Sequence, residues 1–328
     1  MGGRKGSILI VSLWALAILF LLAVGLAYRV GLELRMTRYA EDRLKAFYIA
    51  KAGLSRAMAL LGDESSNGPN AFNGKWSEDP SLFKEKEVGD GMYSVSYPFQ
   101  GTEAVKGVRY GMEDEESRIS LNAADAAILQ KVPGLDEAVA LSIRAWRGDK
   151  DLTPEQTASE DDYYATLPNP YPRKGKPFET LEELLLVKGM TPSLFETIKD
   201  HFTVYGSGKV NLNTADAETL RLLGLEEAIS RRLTEARKGE DGILGTEDDL
   251  VFKTVPDLVS VEVIHLLELD QDQQLALSNF LSARQGILTV QATLFRVHVE
   301  GKMRQGNVRK QIVAVVDRER NIRYWHED

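Results

Sequence analysis

The sequence predicts an α+β fold: one long N-terminal helix lying on an antiparallel sheet, with a large α-helical body inserted into that sheet. Three observations predict it. An uncharged apolar run covers residues 7–28 and passes without a break into an amphipathic helical pattern that reaches Leu61. Alternating, strand-like segments occur near residues 92–112 and again near 288–325. Between them about 160 residues carry helical periodicity and a repeated glycine-turn pattern. Strands of one sheet share a core, so the intervening block reads as an insertion.

The apolar run has 22 residues, from Ser7 to Tyr28. As a helix it would be about 33 Å long, enough for a hydrocarbon core of about 30 Å, with every backbone polar group satisfied internally. Arg4 and Lys5 precede it and predict a cytoplasmic N-terminus, with everything after Tyr28 on the far side. The run is longer than the apolar core of a cleaved secretory signal and continues into helical sequence. Gly6, between Lys5 and Ser7, stands where a type IV pilin-like leader is cut, which would leave Ser7 first and retain the helix.

Past Arg29 the helical pattern continues. Leu44, Phe47, Leu54, Met58 and Leu61 fall on one stripe beside Ala50 and Ala57, and that stripe is expected to lie on the sheet. Gly62 can end the helix, and residues 62–88 read as a loop. Tyr93, Val95 and Tyr97 alternate with serines, a second strand is expected at residues 108–112, and Gly301 to Gly306 is expected to hold a turn between later strands. These signals divide the chain into residues 1–6 (leader), 7–28 (membrane span), 29–118 (helix and first strands), 119–284 (inserted α-helical body) and 285–328 (closing strands).

The inserted body contains an internal similarity. Leu121-Asn122-Ala123-Ala124-Asp125, then Pro133-Gly134-Leu135, matches Leu212-Asn213-Thr214-Ala215-Asp216, then Leu223-Gly224-Leu225. A partial third copy is read at residues 181–202. Each unit reads as helix, glycine turn, helix, with Asp125 and Asp216 at helix starts. Helix-hairpin-helix units of this kind bind DNA when backbone N–H groups of the turn meet a phosphate in positive potential. Here residues 113–249 hold 28 acidic and 16 basic residues, and acidic pairs follow both turns, so no nucleic acid partner is expected.

The sharpest candidate site is Glu240-Asp241-Gly242-Ile243-Leu244-Gly245-Thr246-Glu247-Asp248-Asp249, with five carboxylates in ten residues. Calcium takes six to eight oxygen ligands, and a tightly turned acidic loop supplies them, although the spacing is not that of an EF-hand. The expected ligands are Asp241, Thr246, Asp248 and Asp249. A second acidic group, Asp149, Asp151, Glu155, Glu160, Asp161 and Asp162, reads as a surface loop. Nothing predicts catalysis. The chain has no cysteine, its four histidines are scattered, and Gly206-Ser207-Gly208-Lys209 lacks the rest of a phosphate loop and reads as a turn. Trp14 is expected at the bilayer, and Trp76, Trp146 and Trp325 in packing roles.

Taken in order along the chain, these features resemble the type II secretion system protein K family of minor pseudopilins. The resemblance is carried by Arg4-Lys5-Gly6 before Ser7-Ile8-Leu9-Ile10-Val11, by Asp114-Glu115-Glu116-Ser117-Arg118-Ile119-Ser120-Leu121-Asn122, by Pro177-Phe178-Glu179-Thr180-Leu181, by Val210-Asn211-Leu212-Asn213-Thr214-Ala215, and by Ile322-Arg323-Tyr324-Trp325. It implies a pilin-like helix and sheet, processing between Gly6 and Ser7 by a prepilin peptidase with methylation of Ser7, and a single pass in the bacterial inner membrane with the body in the periplasm. It also implies partnership with minor pseudopilins of the I, J and H types, and contact with secreted proteins. Most pilin-like proteins carry a glutamate as the fifth residue after the cut. Val11 replaces it here, as in protein K, which implies the first position at the pseudopilus tip. A membrane-anchored DNA-binding protein of the competence type, and a minor pilin of a type IV pilus, are the alternatives.

Overall fold

The structure is a computed structural model that describes residues 5–63, 68–102, 105–305 and 307–328. Helix α1, Lys5–Asp63, runs for 59 residues, roughly 90 Å at about 1.5 Å per residue, with no proline to interrupt it. Side chains of residues 8–30 are exposed almost throughout, whereas Ala46, Ile49, Ala50, Leu54, Ala57 and Leu61 are buried at three- and four-residue spacing. The buried face is therefore rotated from the expected stripe. Leu44 is 57% exposed, and Phe47 and Met58 are only half-buried. Small residues face the sheet because the helix lies so close to it.

After α1 come α2 (Pro80–Phe83), β1 (Lys86–Val88), β2 (Gly91–Val95), β3 (Tyr97–Thr102), β4 (Val105–Arg109) and β5 (Glu113–Asp114). The stretch read as loop thus contains a helical turn and an edge strand. The alternation near 92–112 is not one part of the sheet either. The chain leaves it at Ser96, and β3 and β4 pair only with each other. A local cluster holds this hairpin aside. The Arg109 guanidinium lies 4.0 Å from the Phe99 ring centroid and 5.1 Å from that of Phe72, and the buried Tyr97 hydroxyl meets Ser77 at 3.1 Å.

The helical body follows as β6 (Ile119–Ser120), α3 (Ala126–Leu129), α4 (Glu137–Arg147), α5 (Pro154–Ala165), α6 (Pro192–Ile198), β7 (Phe202–Thr203), β8 (Val210–Asn211), α7 (Ala217–Leu223), α8 (Glu227–Ala236), α9 (Val261–Leu266), α10 (Gln271–Arg284) and β9 (Leu288–Thr289). It has its own core, with Leu121, Leu129, Ile143, Leu184, Leu220, Ile229 and Leu258 among its buried members. Two halves repeat one plan. Arg147 donates to the carbonyls of Leu121 and Ala124, and Arg237 to those of Leu212 and Ala215. Asn122 exchanges two hydrogen bonds with the backbone of Phe178, and Asn213 does the same with Phe252. Short parallel pairs close each half, β6 with β7 and β8 with β9. The segment read as a third copy, residues 181–202, is thus the end of the first half, and residues 255–289 are its counterpart.

The chain returns to the sheet with β10 (Leu294–Met303), β11 (Arg309–Asp317) and β12 (Ile322–Glu327). The antiparallel order is β1-β2-β10-β11-β12, with β5 also on β10. Phe295, Val297, Val299, Ile312, Ala314 and Val316 turn inward onto α1. The turn expected between Gly301 and Gly306 begins only after Met303, and Gly301 itself is still strand. This glycine is where the helix crosses β10, and a Cβ there would lie 2.2 Å from the Ala46 carbonyl oxygen and 2.5 Å from the Ala50 nitrogen. Gly53 faces Val299 and Tyr93 in the same way. Because the obstacles at Gly301 are backbone atoms, Gly301→Val is expected to destabilise the protein by about 3 kcal/mol, the upper range for overpacking, measured by thermal unfolding of the full chain in detergent.

Candidate functional site

Three regions bear on function: the bare half of α1, the junction between the two bodies, and the acidic loop. Gly6 and Ser7 lie in the first turns of α1, and residues 1–4 lie outside the described residues. Val11 is 68% exposed, as are its apolar neighbours, so this half of the helix has no covering within the chain. It is long and apolar enough to cross a membrane. Tyr39, Leu44 and Tyr48 continue the exposed apolar surface towards the sheet.

At the junction three consecutive carboxylates are buried: Asp114, Glu115 and Glu116. Asp114 accepts from Thr214 (2.6 Å), Asn211 (2.8 Å) and the Glu116 N–H (2.8 Å). Glu115 accepts from Arg296 on β10 and from Thr203 on β7. Glu116 accepts from the Ser207 N–H, the Thr293 hydroxyl and N–H, and the Leu294 N–H. Each carboxylate takes partners from the helical body, from β10 or the residues leading into it, or from both, so the segment staples one to the other. In the glycine-rich turn 206–209 the Ser207 N–H is thus taken up by Glu116 of its own chain.

Burial, then the charge of Glu116, pushes Asp114 up to about 8, against the pull of its donors. Burial pushes Glu115 the same way, but Arg296 and Arg118 outweigh it and hold the group below the ordinary carboxylate range.

The acidic loop lies between α8 and Phe252 and brings the four expected residues together through its backbone. Asp248 accepts the N–H groups of Glu240 (2.7 Å) and Asp241 (3.1 Å) and the Thr246 hydroxyl (2.6 Å). Asp249 accepts the Gly245 N–H at 2.7 Å, and Asp241 that of Ile243 at 2.7 Å. Thr246 and the Asp241 N–H hold Asp248 low, whereas burial raises Asp249. Among the described residues no group of three or more His, Asp or Glu side chains is arranged to hold a metal. Arg109 of β4 donates to the Leu244 carbonyl, so the loop docks on the hairpin.

The second acidic group is not a loop. Thr153 and Gln156 form a capping box that starts α5, which carries Glu155, Glu160, Asp161 and Asp162. Asp149 and Asp151 pair with Arg144, Asp149 also with Arg147, and Glu160 with Lys188. Trp76 and Trp146 are buried, but Trp325 is 36% exposed and meets only the edge of Phe47 among the rings. Sequence reading also missed that the sheet aligns His298 and His326 on either side of Val313.

The Gly224 turn is covered by Lys131, whose Nζ would stand 2.6 Å from an added Cβ, and Arg284 binds the adjacent Leu223 carbonyl.

The profile of the family described as "Type II secretion system (T2SS), protein K" matches residues 120–207, which is the first half of the helical body. Type II secretion system protein K of Klebsiella pneumoniae is 24% identical over 244 residues, covering 72% of this chain and 74% of that protein. The Aeromonas hydrophila protein of the same name is 25% identical over 289 residues, covering 79% and 84%. Over most of its length the chain is similar to proteins of the type II secretion system protein K family. A chain of the GspK-GspI-GspJ complex from the type 2 secretion system of enterotoxigenic Escherichia coli has the same fold, with a TM-score of 0.61 at 14% identity over 89% of this chain and 99% of that one. The carboxylate junction is one of the ties by which the two bodies hold one another.

The raised Asp114 predicts a pH dependence. The folded protein keeps a proton that the unfolded chain has released, so stability falls as pH rises from about 4, where the unfolded carboxyl titrates, to about 8, where the folded one does, at up to about 1.4 kcal/mol per pH unit. The melting temperature of the wild type is expected to drop over this window, and that of Asp114→Asn to change less, from a lower starting point.

Proposed function

We propose that the chain is a non-enzymatic minor pseudopilin of type II secretion, standing first in the pseudopilus and priming its assembly with I-, J- and H-type partners. One observation carries this reading. A single uninterrupted helix is bare and apolar over one half and forms the core of a sheet with the other. A plain anchor would reach its domain through a polar linker. Here the span and the body form one rigid element, suited to transmit packing in the membrane to the body's position. The solved GspK-GspI-GspJ complex supports partners of the I and J types.

In this reading a prepilin peptidase removes residues 1–6 and methylates Ser7. The chain crosses the inner membrane once, and the body lies in the periplasm. Val11 supports the first position. A carboxylate there would need the N-terminal amine of a subunit ahead, and a charge left alone in the bilayer is costly. A body with an added helical part of some 160 residues is also bulky for the interior of a helical filament.

We also propose that the acidic loop binds calcium. Its donors are all oxygen, which fits a hard cation. Asp241, Thr246, Asp248 and Asp249 would hold it, and the cation would supply charge neutralisation at the loop that docks on Arg109.

Two outcomes are expected. Val11→Glu should still insert in the membrane but lower pseudopilus formation several-fold, counted by electron microscopy of secreting cells, because its carboxylate would have no amine ahead of it. Calcium at about a hundred times its Kd should stabilise the full chain by about 2.7 kcal/mol over chelator. The accompanying rise in melting temperature should vanish in the Asp248→Ala, Asp249→Ala double variant.

A further inference from the structure

The helical body overhangs the outer face of the sheet, the face turned away from α1. A cavity of about 460 Å³ lies there. Arg296, His298, Val313, Tyr324 and His326 form its floor, and Glu182, Phe195 and Tyr205 are in its wall. A second cavity of about 400 Å³ shares His298 and Val313 and continues over Ser94 and Ser96 to Glu85. Together they form a groove across β2, β10, β11 and β12. At about 4.8 Å between strands it is about 14 Å long, the reach of roughly four residues of extended chain.

Its charges are unequal. Arg296 is neutralised by Glu115, Arg118 by Glu113, and Lys199 by Glu196 at 2.6 Å. His326 meets Asp328 at 3.2 Å. Glu85, Glu182 and Asp200 have no ion-pair partner among the described residues. The Tyr205 and Tyr324 rings lie 5.7 Å apart and offer apolar surface in the cavity that Glu182 and Asp200 line. A lysine or arginine side chain matches both features, its stem on the rings and its charge on a carboxylate.

We propose that this groove receives a short, extended, basic segment of an exported protein. Charge complementarity selects a basic segment. The choice of an exported protein rests on the function proposed above. The groove opens on the face of the sheet turned away from α1, so it stays open whatever packs on the bare half of that helix.

The test uses the full chain in detergent and a fluorescent heptapeptide of alternating lysine and threonine, followed by anisotropy. The lysine peptide binds, and its glutamate counterpart does not. The Glu182→Lys, Asp200→Lys double variant raises Kd about tenfold. Its unchanged melting temperature shows that it folds, and Glu182→Gln, Asp200→Asn gives a smaller loss in the same direction. Absence of lysine-peptide binding, equal binding of the acidic peptide, or an unchanged Kd in the charge-reversed variant overturns the proposal. Co-purification with I- and J-type partners is measured in parallel. The double variant retains it; its selective loss would make the groove an assembly interface and overturn the exported occupant. Failure of the wild type to co-purify would strike the pseudopilin reading instead, and leave the peptide result standing.

Discussion

The close approach of α1 to β10 is the contact on which the rest of the structure depends. Ala46, Ala50 and Gly53 on the helix meet Gly301 and Val299 on the strand with no room for a further carbon at either glycine. Interiors are packed to near-crystalline density, so such a contact fixes both position and direction. It turns a membrane helix into the spine of a folded body. It also divides the sheet into an inner face that is apolar and filled, and an outer face that is polar and open.

The second constraint is electrostatic. Asp114, Glu115 and Glu116 are removed from water where the sheet hands over to the helical body. Buried polar and charged groups are tolerated only when hydrogen-bonded, and these find their partners far apart in sequence: the raised Asp114 at Asn211 and Thr214, the ionised Glu115 at Thr203 and Arg296. The docking of one body on the other is thereby specified by directional bonds rather than by apolar area alone. Arg109, reaching from the hairpin to the acidic loop, adds a second tie at a different edge.

Local periodicity made much of this readable. The apolar run, its continuation into an amphipathic helix, the split strands and the duplicated hairpins are patterns within short windows, and the long helix, the antiparallel sheet and the helical insertion follow from them. Most of what was misread depended on distant partners. Leu44 looked like a core residue because hydrophobicity was weighed over size, whereas the sheet lies close enough to select alanine and glycine. Gly301 reads as part of the turn that in fact starts after Met303, because its reason for being glycine is a helix some 250 residues earlier. The acidic residues of α5 looked like loop because their composition is polar, although the Thr153 capping box marks a helix start. At the candidate site the loop residues were found by their density of carboxylates. Their backbone N–H partners, and the groove under the helical body, come from tertiary placement that no short window contains.

The pseudopilin reading gathers these features into one object: a helix that is bare where it meets membrane and neighbours, buried where it carries a body, and without a carboxylate at Val11. Its processing site is the part that the described residues reach least, and it is the most direct test. The mature chain, purified from membranes of a host with an active prepilin peptidase, is analysed by mass spectrometry of its N-terminal peptide. The account predicts a chain that begins at Ser7 and carries one methyl group. Retention of Met1 through Gly6 in that host would contradict it.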